Sequence, residues 1–270
     1  MSRADIANEC SYAPVVAPAV RLGSFTPSVL LRVATAVDPA LDVAETLVPS
    51  SPAQFQALYD GAYDAVLTSP DNVLGQSRPV EMLVAIDRGM GLALYGRGEL
   101  RGARVGVDVP ASGFAFALYA LAESLGVLRG DYEVVTLGST PRRLKALLAG
   151  ECDYTMLNAG NELHAEAAGF KAVARVSEVC GPYLGTVLAA LDPGPVQHLA
   201  TRLVETAAAI VDGKHDDLVI SSAVAALGLD RPLAERYLRR LKDPGEGLVA
   251  DGVIQASALA TVAGLRRRFG

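Results

Sequence analysis

The chain has 270 residues, 51% hydrophobic and 20% charged, which is ample apolar material for a packed core and excludes intrinsic disorder. With 24 Lys and Arg against 30 Asp and Glu, the formal charge is −6, and this acidic balance argues against nucleic acid, whose binding needs clustered cations. The length suits one large domain or two lobes of roughly 100–150 residues each.

At the start of the chain, Met1 to Val20 carries Arg3, Asp5 and Glu9 and lacks the continuous apolar core of a secretory signal. Ala7-Asn8-Glu9 ahead of Cys10 is a poor match to a lipoprotein cleavage box. As written, the chain therefore reads as cytoplasmic. A chain already relieved of its leader would read the same and would work outside the cytoplasm. No stretch approaches the roughly 20 apolar residues that span a bilayer, so no membrane insertion is expected. The cysteines, Cys10, Cys152 and Cys180, are odd in number, lack metal-ligand spacing, and read as reduced thiols.

The grammar from Val20 onward is strand, loop, helix, strand, helix, and it occurs twice. Val20–Gly23 and Ala103–Val107 are short apolar runs that suit buried parallel strands. Ser51-Pro52-Ala53-Gln54 signals a helix start with Ser51 as cap, and Thr140-Pro141 repeats the signal. Those helices stop at Gly61 and Gly150, and strands follow at Ala65–Thr68 and Tyr154–Asn158. Residues echo between the halves: Gly61 with Gly150 and Asp64 with Asp153 at one offset, Arg21 with Arg104 at a similar one. Each match is short, but their common order points to two lobes of one design. Val80–Arg97 and Lys171–Leu191 read as two strand-like crossings that join the lobes. From Val196 the pattern turns helical, with Leu199, Leu203, Val204, Ala207, Ala208 and Val211 on one face and further helices over 216–227, 232–241 and 256–269. The run Arg266-Arg267-Arg268 reads as a helix end that favours positive charge.

Ligands of open α/β sheets gather beyond the carboxyl ends of strands, where helix N-termini present free N–H groups and partial positive charge. Four loops qualify: Ser24-Phe25-Thr26-Pro27-Ser28, Thr68-Ser69-Pro70-Asp71-Asn72, Pro110-Ala111-Ser112-Gly113-Phe114 and Asn158-Ala159-Gly160-Asn161. Capping alone explains any one of these residues; their convergence would make a cleft walled by Phe25, Phe114 and Tyr183. Catalytic motifs are scarce. His164, His198 and His215 form no metal-ligand spacing, so no metal is expected, and neither a Walker A sequence nor a full dinucleotide loop is present. Asp71 is the best acid or base candidate; His164, near the fourth loop, reads first as a helix-surface residue.

The segments Tyr59–Asn72, Leu100–Asp108, Ser112–Phe116 and Gly181-Pro182-Tyr183 resemble the ABC-transporter solute-binding proteins of the nitrate/sulfonate/taurine type, grouped with thiamin-pyrimidine-synthase-like domains. The resemblance runs from about residue 20 to 190 and more loosely to the C-terminus. It implies an α/β, two-lobed type II periplasmic-binding-protein fold, each lobe a mainly parallel sheet flanked by helices, with extra C-terminal helices. Residues 1–88 plus 188–270 would form one lobe and 89–187 the other. The pocket would draw on Ser24, Phe25, Thr26, Thr68, Asp71, Asn72, Ser112, Gly113, Phe114, Asn158 and Tyr183. It implies a small, anionic or carboxylate-bearing solute, no cofactor, and a permease partner only if the protein is exported. Relatives on this fold also include enzymes, so a cofactor-independent lyase, hydrolase or isomerase stays open; Asp71, His164 and Tyr183 are the residues to test for it.

Overall fold

Two five-stranded sheets organise the computed structural model, which describes residues 19–270; the expectations for the leader region and Cys10 lie outside the described residues. In chain order the strands are β1 (Val20–Ser24), β2 (Val43–Leu47), β3 (Ala65–Thr68), β4 (Glu81–Asp87) and β5 (Ala93–Gly96). They continue as β6 (Arg104–Val107), β7 (Glu133–Thr136), β8 (Tyr154–Leu157), β9 (Lys171–Arg175) and β10 (Thr186–Ala190). The first helices are α1 (Val29–Val37), α2 (Ser51–Tyr59), α3 (Pro70–Leu74), α4 (Gly113–Ser124), α5 (Thr140–Ala149) and α6 (Asn161–Ala167). After them come α7 (Val176–Val179), α8 (Gln197–Val211), α9 (Asp216–Leu227), α10 (Arg231–Leu241) and α11 (Ala256–Phe269).

The sheets have the same plan. The first runs β2-β1-β3-β10-β4 and the second β7-β6-β8-β5-β9. β1 pairs in parallel with β2 and β3, whereas β10 is antiparallel to both β3 and β4. In the second sheet β6 is parallel to β7 and β8, and β5 is antiparallel to β8 and β9. Four of the five strands in each sheet therefore point the same way, which is the mainly parallel arrangement the sequence suggested. The fully buried strands β3, β5 and β8 lie inside their sheets, as expected of short runs without polar alternation.

The echo between the halves acquires a physical meaning. Arg21 N–H donates to Asp64 Oδ2 at 2.8 Å while its Nη1 donates to the Gly61 carbonyl at 2.6 Å, clamping the start of β1 to the turn before β3. Arg104 does the same to Asp153 and Gly150, each at 2.8 Å, clamping β6 to the turn before β8. Both pairs are solvent-accessible and contribute modestly to stability, so their effect is to set register.

Some local details differ from expectation. The cap of α2 is Ser50, whose hydroxyl accepts from Ala53 N–H; Ser51 is already helical, because the chain enters one residue earlier. Gln54 does not reach back to the cap, since its amide is buried and donates to the carbonyls of Gly23 and Leu67. The cap of α5 is Ser139, not Thr140, and its side chain makes no capping bond. Gly150 does end α5 in the left-handed conformation, with φ of 72°. In α8 the buried face is Leu199, Leu203, Ala207 and Ile210, rotated from the stripe through Val204 and Val211 by packing against α1 and β4. Helices α8 to α10 cover the first sheet, while α11 packs against α3 and α4. Among the described residues, no helix is long and apolar enough to cross a membrane.

Candidate functional site

A cavity lies between the two sheets, with about 950 Å³ free of protein atoms when the solvent at its mouth is included. It is built from strand ends and the helix starts that follow them. At the end of β1 and beyond it come Ser24, Phe25, Thr26 and Ser28; at the end of β3 and beyond it, Thr68, Ser69 and Asn72. The second sheet answers with Asp108, Ser112, Gly113 and Phe114 beyond β6, Ser139, Thr140 and Arg143 beyond β7, and Asn158 beyond β8. Helices α1, α3, α4 and α5 thus begin at its wall. Their first N–H groups and dipoles favour an anionic or acceptor-rich group there.

Of the residues expected to face a ligand, Ser24, Phe25, Thr26, Thr68, Asn72, Ser112, Gly113, Phe114 and Asn158 line this cavity. Several also serve the framework. Ser112 Oγ caps α4 by accepting from Ala115 N–H, and Ser24 Oγ donates to Glu45 at 2.7 Å. Asn72 Nδ2 donates to Thr68 Oγ1 at 3.1 Å, and Asn158 Nδ2 donates to the Gly89 carbonyl at 3.1 Å.

Asp71, His164 and Tyr183 stand apart from it. The Asp71 carboxylate turns away toward α11 and accepts from Arg266 Nε at 2.7 Å and Nη2 at 2.8 Å. Burial still pushes its carboxyl up, against the pull of Arg266. The His164 ring donates from Nε2 to the Leu227 carbonyl at 2.8 Å, tying α6 to the end of α9. Tyr183 sits in the apolar cluster with Phe116, Val176 and Val262, and lines a second pocket beside Arg88 and Pro244. Burial pushes its phenol up, and its hydroxyl has no partner.

The charged residues of the cavity are ones the loop argument passed over. Arg143 is 2% exposed, in the first turn of α5. Its Nη1 donates to the Gly138 carbonyl at 2.6 Å, and its Nη2 to Thr140 Oγ1 at 3.0 Å and the Met156 carbonyl at 3.3 Å. Nε is buried without a partner. Burial pulls the guanidinium down to about 10, opposed by the charge of Asp108, so it remains a cation at neutral pH. Asp87, at the end of β4, accepts from Gly89 N–H at 2.8 Å, and burial pushes its carboxyl up to about 6. Asp108 binds Ser51 through one oxygen and leaves the other without a partner. Tyr237 and Leu241 reach the cavity from α10. Asp108 was legible as the polar residue closing the run Val105–Val107. Arg143 was not, because its neighbour Arg142 is equally basic and only helix phase separates them.

Backbone strain concentrates at the same place. Among the described residues, three non-glycine residues adopt positive φ, and two of them, Met90 (52°) and Ala159 (54°), line the cavity. Such conformations cost roughly 1 kcal/mol or more and persist where the surroundings impose them. Ala159 N–H donates to the Met90 carbonyl at 3.2 Å, so the two strained turns hold each other.

No protein-family model and no curated protein matches the chain. Solved structures do. The alkanesulfonate-binding protein SsuA from Xanthomonas axonopodis pv. citri, bound to MOPS, superposes with a TM-score of 0.71 over 94% of this chain and 95% of its own, at 15% identity. The periplasmic aliphatic sulphonate binding protein SsuA from Escherichia coli gives 0.68 over 94% and 87%, at 16% identity. A Candida albicans gene product described as exhibiting the generic periplasmic binding protein structural fold gives 0.69 over 94% and 90%, at 12% identity. The chain has the periplasmic-binding-protein fold.

Proposed function

We propose that the protein binds a small solute in the cavity between its sheets and closes two lobes around it. The anionic or acceptor-rich end of the solute lies against the N-termini of α4 and α5 and the Arg143 guanidinium. The observation that carries this reading is a buried arginine, its Nε unpartnered, at a cavity where several helices begin. Two structural neighbours are named as sulfonate-binding proteins, which agrees with an acidic solute. Of the described residues, 19–88 with 188–270 form one lobe and 89–187 the other, hinged where β4 leads to β5 and within the first residues of β10. In the transport form of this reading the protein works outside the cytoplasm beside a permease.

One observation favours an enzyme instead: Asp87 lines the cavity with its carboxyl at about 6, suited to proton transfer near neutrality. One experiment separates the two. The purified protein is incubated with small-molecule extract from its host, and retained and free compounds are compared over time by mass spectrometry. One compound held near one per chain, recovered unchanged and lost from Arg143→Met, is the expected result. Conversion of one compound into another beyond one turnover per chain would establish the enzyme reading, and retention of nothing would defeat binding.

A further inference from the structure

Asp108 has two oxygens in two different environments. It follows β6 in the second sheet and is 7% exposed. Its Oδ2 accepts from the backbone N–H of Ser51 at 3.2 Å and from the Ser51 hydroxyl at 2.5 Å. Ser51 is the first residue of α2, which packs on the first sheet, so the carboxylate caps a helix across the gap between the sheets. The seam continues beside it, where Ser139 N–H donates to the Pro49 carbonyl at 2.9 Å. Gly138 has no room for a side chain there, because a Cβ would stand 2.7 Å from the same carbonyl.

The other oxygen, Oδ1, is buried with no hydrogen-bond partner, although Asp108 lines the cavity. Arg143 does not supply one through its Nε, which is itself unpartnered. Asp87, the second carboxyl of the wall, adds acceptors and no donor. The wall therefore offers one guanidinium and two carboxyl groups, which is more acceptor capacity than a simple anion can use. An unmatched buried acceptor penalises any occupant that cannot donate to it.

Resting on the binding reading above, we propose that Asp108 is its specificity residue: Oδ1 receives an N–H or O–H donor of the solute while Oδ2 holds the seam with α2. The solute is thus an acid that also carries a donor, and filling Oδ1 stiffens the carboxylate that joins the two sheets.

The test is titration calorimetry of the full chain with two matched pairs of probes, propane-1-sulfonate against 3-aminopropane-1-sulfonate and butanoate against 4-aminobutanoate. In at least one pair the amino compound should bind about tenfold more tightly or better. Asp108→Asn should reduce that ratio to within about threefold, because an amide can keep the Ser51 contact but loses the charged acceptor. Ser51→Ala should weaken both members alike and preserve the ratio. An amino compound that binds no tighter than its parent in both pairs, a ratio that survives in Asp108→Asn, or binding of none of the four probes overturns the inference. Should Asp108→Asn not fold, the wild-type ratios decide alone. The outcomes also separate this claim from its premise. A donor-free acid retained from extract refutes the role of Asp108 and leaves solute binding intact, whereas retention of nothing removes the premise itself.

Discussion

At the scale of single residues, the buried carboxyls make the sharpest statements. Asp87 keeps two hydrogen bonds, from Gly89 N–H and the Thr186 side chain, yet burial outweighs them and moves its carboxyl from 3.8 to about 6. The folded protein therefore retains a proton that the unfolded chain has released between about pH 4 and 6. Its stabilising contribution is complete below about pH 4 and is lost as pH rises through about 6. The shift corresponds to roughly 3 kcal/mol. The stability of the wild type relative to Asp87→Asn, from urea unfolding, should thus rise by about 2–3 kcal/mol between pH 7 and pH 4. A flat difference would mean that water reaches the carboxyl. Residue-level signals were only partly legible beforehand. Ser50, Ser51 and Thr140 are all capping types, and one residue of chain phase decides which of them caps.

At the scale of elements, α11 ends in the basic turn that the sequence indicated, and the same turn makes long-range contacts. Arg266 forms a two-pronged pair with fully buried Asp71 and lies 5.4 Å from the centre of the Phe116 ring. Arg268 pairs with Glu123, and Phe269 meets Tyr119 edge-on at 5.8 Å. The helix thus bridges α3, which follows a strand of the first sheet, and α4, which follows one of the second. Removing the cation strands a carboxylate out of water, so Arg266→Ala should destabilise by about 2–4 kcal/mol in urea unfolding. Adding Asp71→Asn should recover about half of that loss. A loss under about 0.5 kcal/mol would place the pair among ordinary surface bridges.

At the scale of the molecule, the close approach of the two sheets depends on Gly113. A Cβ there would stand 2.5 Å from Asp71 Cβ and 2.9 Å from Ser69 Oγ, and the Cβ of Asp71 has no freedom to withdraw. Gly113→Ala should open the gap between α3 and α4, raising the radius of gyration by about 1 Å in small-angle scattering while helicity is kept. An unchanged radius would show that the strain is absorbed locally.

The sequence by itself determined what depends on neighbours along the chain. The strands over Val20–Gly23, Ala65–Thr68, Ala103–Val107 and Tyr154–Asn158, the helix over 216–227 and the helix end at Gly150 follow from apolar runs and turn glycines, whereas β2 and β7, exposed strands at sheet edges, lack that signal, and the two Arg–Gly–Asp clamps join residues 43 and 49 positions apart. It also indicated four loops that reach the cavity wall, because strand ends and helix starts are local features that the fold brings to one side. The tertiary structure alone decided where the charges went. Asp71 was drawn to Arg266, 195 residues away, and so left the cavity it was expected to serve. Arg143 entered because α5 turns that face inward, and Tyr237 came from a helix near the other end of the chain. A carboxylate or guanidinium buried at long range is settled by whichever partner packing delivers, and no local pattern records that partner.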